Sequence, residues 1–135
     1  MSDELVLPHN VYQSDGYWQA AIANGARVIH LTGQAAWDDR GGVVGVGDLA
    51  RQTEQAYRNV AQLLNDLGAG FEDVTRIKAY VVDWSVQKRA PFRAGAHRAA
   101  KGLGFDARKP TTVQGVAALS RPGLLVEIEA TAILN

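Results

Sequence analysis

Residues 74–82, VTRIKAYVV, set Ile77, Ala79 and Val81 on one side of an extended chain and Arg76, Lys78 and Tyr80 on the other. A strand so divided packs one face against helices and keeps the other away from them. A long amphipathic stretch precedes it. In residues 48–67, Leu49, Thr53 (by its methyl), Ala56, Tyr57, Val60, Leu63, Leu64 and Leu67 recur at helical spacing. Asp48 suits the start of that helix and Gly68 its left-handed end. Arg51, Gln52, Gln55, Arg58, Asn59 and Gln62 form its wet face. A second helix is expected over residues 85–101, with Gly95 inside it, Gly102 and Gly104 ending it, and Pro91 in the first turn of a helix starting near Arg89.

Hairpins flank this centre. Residues 12–23 and 26–37 are joined by Asn24-Gly25, which suits a type I′ turn. Asp38-Asp39-Arg40-Gly41-Gly42 reads as an exposed turn before a short strand at 43–46. Residues 111–119 and 124–133 form a final pair across Ser120-Arg121-Pro122-Gly123. The order ββ(β)αβαββ describes one α+β domain over residues 1–135, with two helices on one face of the sheet. The opposite face retains large side chains, among them Tyr17 and Trp37 or their strand neighbours. An uncovered face of this kind is usually buried by self-association.

Composition narrows the function. Lys+Arg 14 balances Asp+Glu 14, which removes the bulk electrostatic case for nucleic acid or an anionic membrane as partner. With Cys 0, there is no disulfide, thiolate nucleophile or Cys-ligated metal. The opening MSDELVLPHN lacks the basic, then apolar, pattern of a signal peptide, and no apolar run reaches the ~20 residues of a membrane span. The expectation is a soluble, cytoplasmic protein.

Few residues suggest chemistry. His9, His30 and His97 have no metal-ligand spacing, and His30 reads as a strand-face residue. Ser14, Ser85 and Ser120 lie in no nucleophile elbow. The glycines of residues 41–47 lack the Lys-Ser/Thr of a phosphate-binding loop and read as a hairpin-to-helix connector. In residues 124–130, LLVEIEA, alternation puts Val126 and Ile128 on one face and Glu127 and Glu129 on the other. Two readings stand: a strand with its polar side in water, or a carboxylate beside a cleft as general base or water-positioning group. Thr32-Gly33-Gln34 is equally open. Gly33 either permits a bulge or lets a ligand approach main-chain N–H groups.

Several segments, in order, resemble one family. They are Gly16-Tyr17-Trp18-Gln19-Ala20; Leu31-Thr32-Gly33-Gln34, similar to a Ser-Gly-Gln motif; residues 45–49 with Gln52-Thr53, Asn59-Val60 and residues 67–70; Asp73-Val74 with Val81-Val82-Asp83; and Val126-Glu127-Ile128-Glu129-Ala130. Together they resemble the YjgF/RidA (Rid) superfamily over nearly the whole chain. The resemblance implies a chorismate-mutase-like mixed sheet and a homotrimer with clefts between subunits. It further implies cofactor-independent hydrolysis of enamines and imines such as 2-aminoacrylate to keto acids and ammonia. An imine carbon is already electrophilic, so the protein has mainly to orient substrate and place a water. By resemblance, Glu127 is the catalytic carboxylate, and Tyr17, Thr32, Gly33 and Thr111 bind substrate.

The family's carboxylate-gripping Arg lies in a Pro-x-Arg-like context. Counted back without gaps from Leu119, its position falls on Thr111 of Lys109-Pro110-Thr111-Thr112-Val113. Thr offers one neutral hydrogen bond in place of a charged fork. Arg108 and Lys109 are the nearby cations able to substitute. The alternative is therefore a non-catalytic trimer that binds a small metabolite. Ribonuclease activity ranks last, given the balanced charge and the absence of a histidine pair.

Overall fold

The computed structural model describes residues 27–135 in full, together with the backbone of two short strands, β1 (Glu4–Val6) and β2 (Ala20–Ile22), which pair antiparallel with each other. The other elements are β3 (Arg27–His30), β4 (Gln34–Ala35), α1 (Leu49–Asp66), β5 (Val74–Val82), α2 (Arg89–Leu103), β6 (Thr111–Val116) and β7 (Val126–Leu134). A mixed sheet runs in the order β3, β7, β5, β6, and β4 also pairs with β7. Both helices pack on one face.

The central elements form where local chemistry places them. The Asp48 carboxylate accepts the Arg51 N–H at 3.0 Å and caps α1, and Gly68 ends it at φ +78°. Val60, Leu64, Ile77, Ala79, Val81, Val126 and Ile128 have no exposed surface and form the layer between α1 and the sheet. One helical turn at Val86–Lys88 leads into α2, so Pro91 falls in the first turn of α2. Gly95 lets the two helices touch: a Cβ there would sit 2.7 Å from the Thr53 Cβ.

Three expectations are corrected. First, β6 and β7 are not a hairpin. β6 pairs parallel with β5, reached by the α2 crossover, and β7 lies antiparallel on the other side of β5. The Pro-Gly turn reverses the chain but does not choose a neighbour. Position beside β5 buries Val126, Ile128, Ala130 and Ala132 and leaves the more exposed β6 at the rim.

Second, Gln52 belongs to the interior rather than the wet face of α1. Its amide donates to the Gly123 carbonyl (2.8 Å) and the Gly45 carbonyl (3.3 Å), and its side-chain oxygen accepts the Leu125 N–H (2.8 Å). Two loops that lack ladder partners are thereby satisfied. Asn59 does the same for Ala35 and Trp37, donating to both carbonyls at 2.9 and 3.0 Å.

Third, the strand expected over residues 26–37 is broken, and Trp37 leaves the sheet. It makes a single bridge to Val43, with the Arg121 guanidinium 5.4 Å over its ring. The 38–42 turn forms as expected, with the Asp38 carboxylate accepting the N–H groups of Arg40 and Gly42. Among the described residues, β2 pairs with β1 rather than β3; Asn24-Gly25 lies outside them.

Candidate functional site

The break between β3 and β4 is a β-bulge. His30 pairs with Thr131 and Gln34 with Ile128, so four steps along one strand match three along β7. The extra residue falls within Leu31-Thr32-Gly33, so the bulge reading of Gly33 holds. The side chain of Glu127, which pairs with Ala35 two residues on, folds back over Gly33. A Cβ on Gly33 would lie 2.6 Å from the Glu127 Cγ and 2.5 Å from its Cδ. Glycine there is the condition for the carboxylate to lie where it does. Thr32 is exposed beside it, and Gln34 is buried, donating from its amide to the Thr32 carbonyl at 3.2 Å.

Register places the neighbours. Tyr80 pairs with Glu127 on one side and Gln114 on the other; Lys78 pairs with Glu129 and Thr112. Alternation puts all of these on the face away from the helices. The Tyr80 hydroxyl donates to Glu129 Oε2 at 2.8 Å, and the Lys78 ammonium lies 5.4 Å from the Tyr80 ring centroid. Glu129 is thus engaged. Among the described residues, the Glu127 carboxylate has no hydrogen-bond donor and stays available to a substrate or a water.

Of the residues expected to act together, Thr32, Gly33 and Glu127 converge. Tyr17 lies outside the described residues. Thr111 pairs with Ile77, on the helix side of β6, and donates its hydroxyl to the Lys109 carbonyl at 2.8 Å. Within one chain it does not share a face with Glu127; Thr112 does. The Pro-x-Arg spacing, read from Pro110 rather than counted back from Leu119, selects the same Thr112. The period of two along β5 already sets Lys78 and Tyr80 on this outer side, but their place beside Glu127 and Glu129, and that of Gln114, comes only from the register.

The two cations proposed as substitutes are committed elsewhere. Lys109 is buried, and Arg108 clamps Asp106 through Nε to Oδ1 (3.1 Å) and Nη2 to Oδ2 (3.0 Å). The hydrogen bond from Arg108 holds the Asp106 carboxyl below its ordinary range. His30 is exposed on β3 with its Nδ1 3.4 Å from Thr131 Oγ1, and His97 is exposed on α2.

Two helices on one face of a mixed sheet, and a carboxylate folded over a glycine bulge on the other, define a small α+β protein with one open sheet face. The chain belongs to the YjgF/Rid family: the family model described as endoribonuclease L-PSP matches residues 9–134. A protein of the conserved Rid family from Yersinia pestis, YyfB, of unknown function, is 36% identical with TM-score 0.87, over 99% of this chain and 100% of that one. Rv2704 of Mycobacterium tuberculosis, a YjgF/YER057c/UK114 family member, is 31% identical with TM-score 0.62, over 98% and 100%. Among curated relatives, a RutC family protein of Pyrococcus abyssi is 28% identical over 62% of this chain and 65% of its own length. The 3-aminoacrylate deaminase RutC of Acinetobacter baylyi is 28% identical over 63% and 67%. The chain thus spans about two thirds of the curated relatives it matches. Both the family and the fold agree with the resemblance read from the sequence. No helix among the described residues is long and apolar enough to cross a membrane.

Proposed function

We propose that this protein hydrolyses small enamine or imine metabolites of the 2-aminoacrylate class to a keto acid and ammonia. The observation that carries this reading is the Glu127 carboxylate lying over the Gly33 bulge with no donor among the described residues. After an enamine tautomerises to its imine, water adds to the carbon of C=N, and Glu127 takes a proton from that water as the C–O bond forms. The resulting carbinolamine expels ammonia once its nitrogen carries the proton, and the C–O group becomes the carbonyl. In this reading Thr32 and the Gly33 backbone hold the substrate's polar atoms, and Thr112, Gln114 and Lys78 extend the same face. The relative named 3-aminoacrylate deaminase supports the substrate class.

The open face acts within a homotrimer in this reading, with Tyr17 of a neighbouring copy closing the pocket, in the cytoplasm. Neither nucleic acid nor a membrane is a partner, and no cofactor takes part. The neutral Thr at the expected Arg position favours one second reading, a trimer that binds the metabolite without turning it over. Freshly generated 2-aminoacrylate, with ammonia release followed for the native protein and for Glu127→Ala, separates the two. Native turnover lost in the variant is expected. Equal release by both proteins and by buffer refutes the enzyme, while sedimentation equilibrium tests the trimer.

A further inference from the structure

The helix side of the sheet holds a second concavity that the proposed hydrolysis does not use. It has a volume of about 820 Å³ and lies between α2, the rim strand β6 and the loop that joins them. That size is within the range of small-molecule pockets.

Its walls have two characters. Tyr57, Trp84, Phe92 and Phe105 line it, and they continue the aromatic core: Tyr57 and Phe92 meet edge-on with centroids 6.4 Å apart, and Phe105 stacks on Phe71 at 4.0 Å. The other wall is basic. Arg89, Arg93, His97 and Lys101 succeed one another every fourth residue along α2, and all four line the cavity. They form one rim about 18 Å long. Phe92, Ala96 and Ala100 run beside it at the same spacing and also line the space.

This polarity is local. The whole chain is charge-balanced, yet α2 contains no Asp or Glu. The one carboxylate on the cavity wall, Asp106, is neutralised by Arg108. Arg89 and Lys101 are exposed at the two ends of this rim, so the local positive potential there favours an anion. An aromatic floor beneath a cationic rim fits a flat apolar body that carries an anionic head.

We infer that this cavity is a binding site for a small aromatic anion, separate from the Glu127 face, with the ring seated between Phe92 and Trp84 and the head group against the α2 basic row. It stands independently of the hydrolytic reading. Trp84 and Phe92 supply the ring contacts. Arg89, Arg93 and Lys101 supply the charge.

Isothermal titration with three probes tests it: 1-naphthoate, 1-naphthyl phosphate and the uncharged 1-naphthalenemethanol. At least one anion is expected to bind with Kd on the order of 1 mM or tighter. The alcohol should bind at least several-fold more weakly. The preferred anion identifies a carboxylate or a phosphate as the head group. The double variant Arg89→Gln/Lys101→Gln, at exposed positions that leave the fold intact, should weaken the anion roughly fivefold. Ala96→Trp, which places a large ring on the cavity wall beside Phe92, should weaken its binding strongly, and Glu127→Ala should leave it unchanged. Equal affinity for anion and alcohol, no effect of the double variant, or no binding of either anion overturns the inference. Loss of binding in Glu127→Ala would place the ligand on the other face and overturn it too.

Discussion

Replacing Gly33 with Ala tests the site without removing a functional group. The added methyl would stand 2.5–2.6 Å from Glu127 Cδ and Cγ, whereas carbon contacts need roughly 3.5–4.0 Å. Gly33 is not among the glycines with positive φ, so Ala meets no backbone penalty there. The strain falls on a flexible side chain, which must swing its carboxylate aside by at least about 1 Å. Leaving a favoured rotamer costs about 0.5–1.5 kcal/mol. Loss of glycine's freedom in the unfolded chain returns about 0.4–1 kcal/mol.

The net change in stability is therefore within about 1 kcal/mol, a shift in Tm of roughly 5 °C or less. Turnover is far more sensitive, because displacing a catalytic group by 1 Å costs on the order of 100-fold. Gly33→Ala should thus approach Glu127→Ala in ammonia release from 2-aminoacrylate while melting close to the native protein. A variant that melts normally and hydrolyses at the native rate refutes the argument, since the position of Glu127 over the bulge would then not matter. A drop in Tm well beyond 10 °C would show that Gly33 serves the fold instead.

Three other perturbations have defined outcomes. Gln52→Leu strands the Leu125 N–H and the Gly123 carbonyl, while the Gly45 carbonyl keeps the Asp48 N–H, and urea denaturation should show a loss of about 2–4 kcal/mol. Gly95→Leu forces side-chain atoms against the Thr53 Cβ and the Glu54 backbone nitrogen, which cannot move aside, so thermal melting should report a loss of about 1–3 kcal/mol or more. Asp106 has its folded pKa lowered, chiefly by the Arg108 hydrogen bond, so its stabilising contribution is present above the unfolded carboxyl's pKa and disappears as pH falls through the lowered folded value. Asp106→Asn should therefore melt slightly below the native protein at neutral pH. The difference should vanish in acid below that folded value, in paired thermal scans.

Much of this protein is written in short-range chemistry. The cap and Gly end of α1, the face division of β5, the start of α2 near Arg89 and the Asp38 turn each depend on residues within a few positions of one another, so the sequence states them directly. The pairing of Glu127 and Glu129 on one face follows likewise from the period of two. The resemblance across the chain added the family, which no single segment carries.

What neighbours what belongs to the tertiary structure. A Pro-Gly turn is compatible with β7 on either side of β5, and only the burial of its apolar face selects the inner position. Gln52 reads as a surface residue by type; it is interior because the 121–125 loop, distant in sequence, arrives with the Gly123 carbonyl and the Leu125 N–H in need of partners. The register of β6 assigns Thr111 to the helix side and Thr112 to the open face, a difference of one residue that reverses a site assignment. The approach of Glu127 to Gly33, residues almost a hundred positions apart, exists only because the bulge brings the edge of β4 against β7. Composition along α2 shows a row of basic residues. Packing against β6 and the aromatic floor is what makes that row the wall of a cavity.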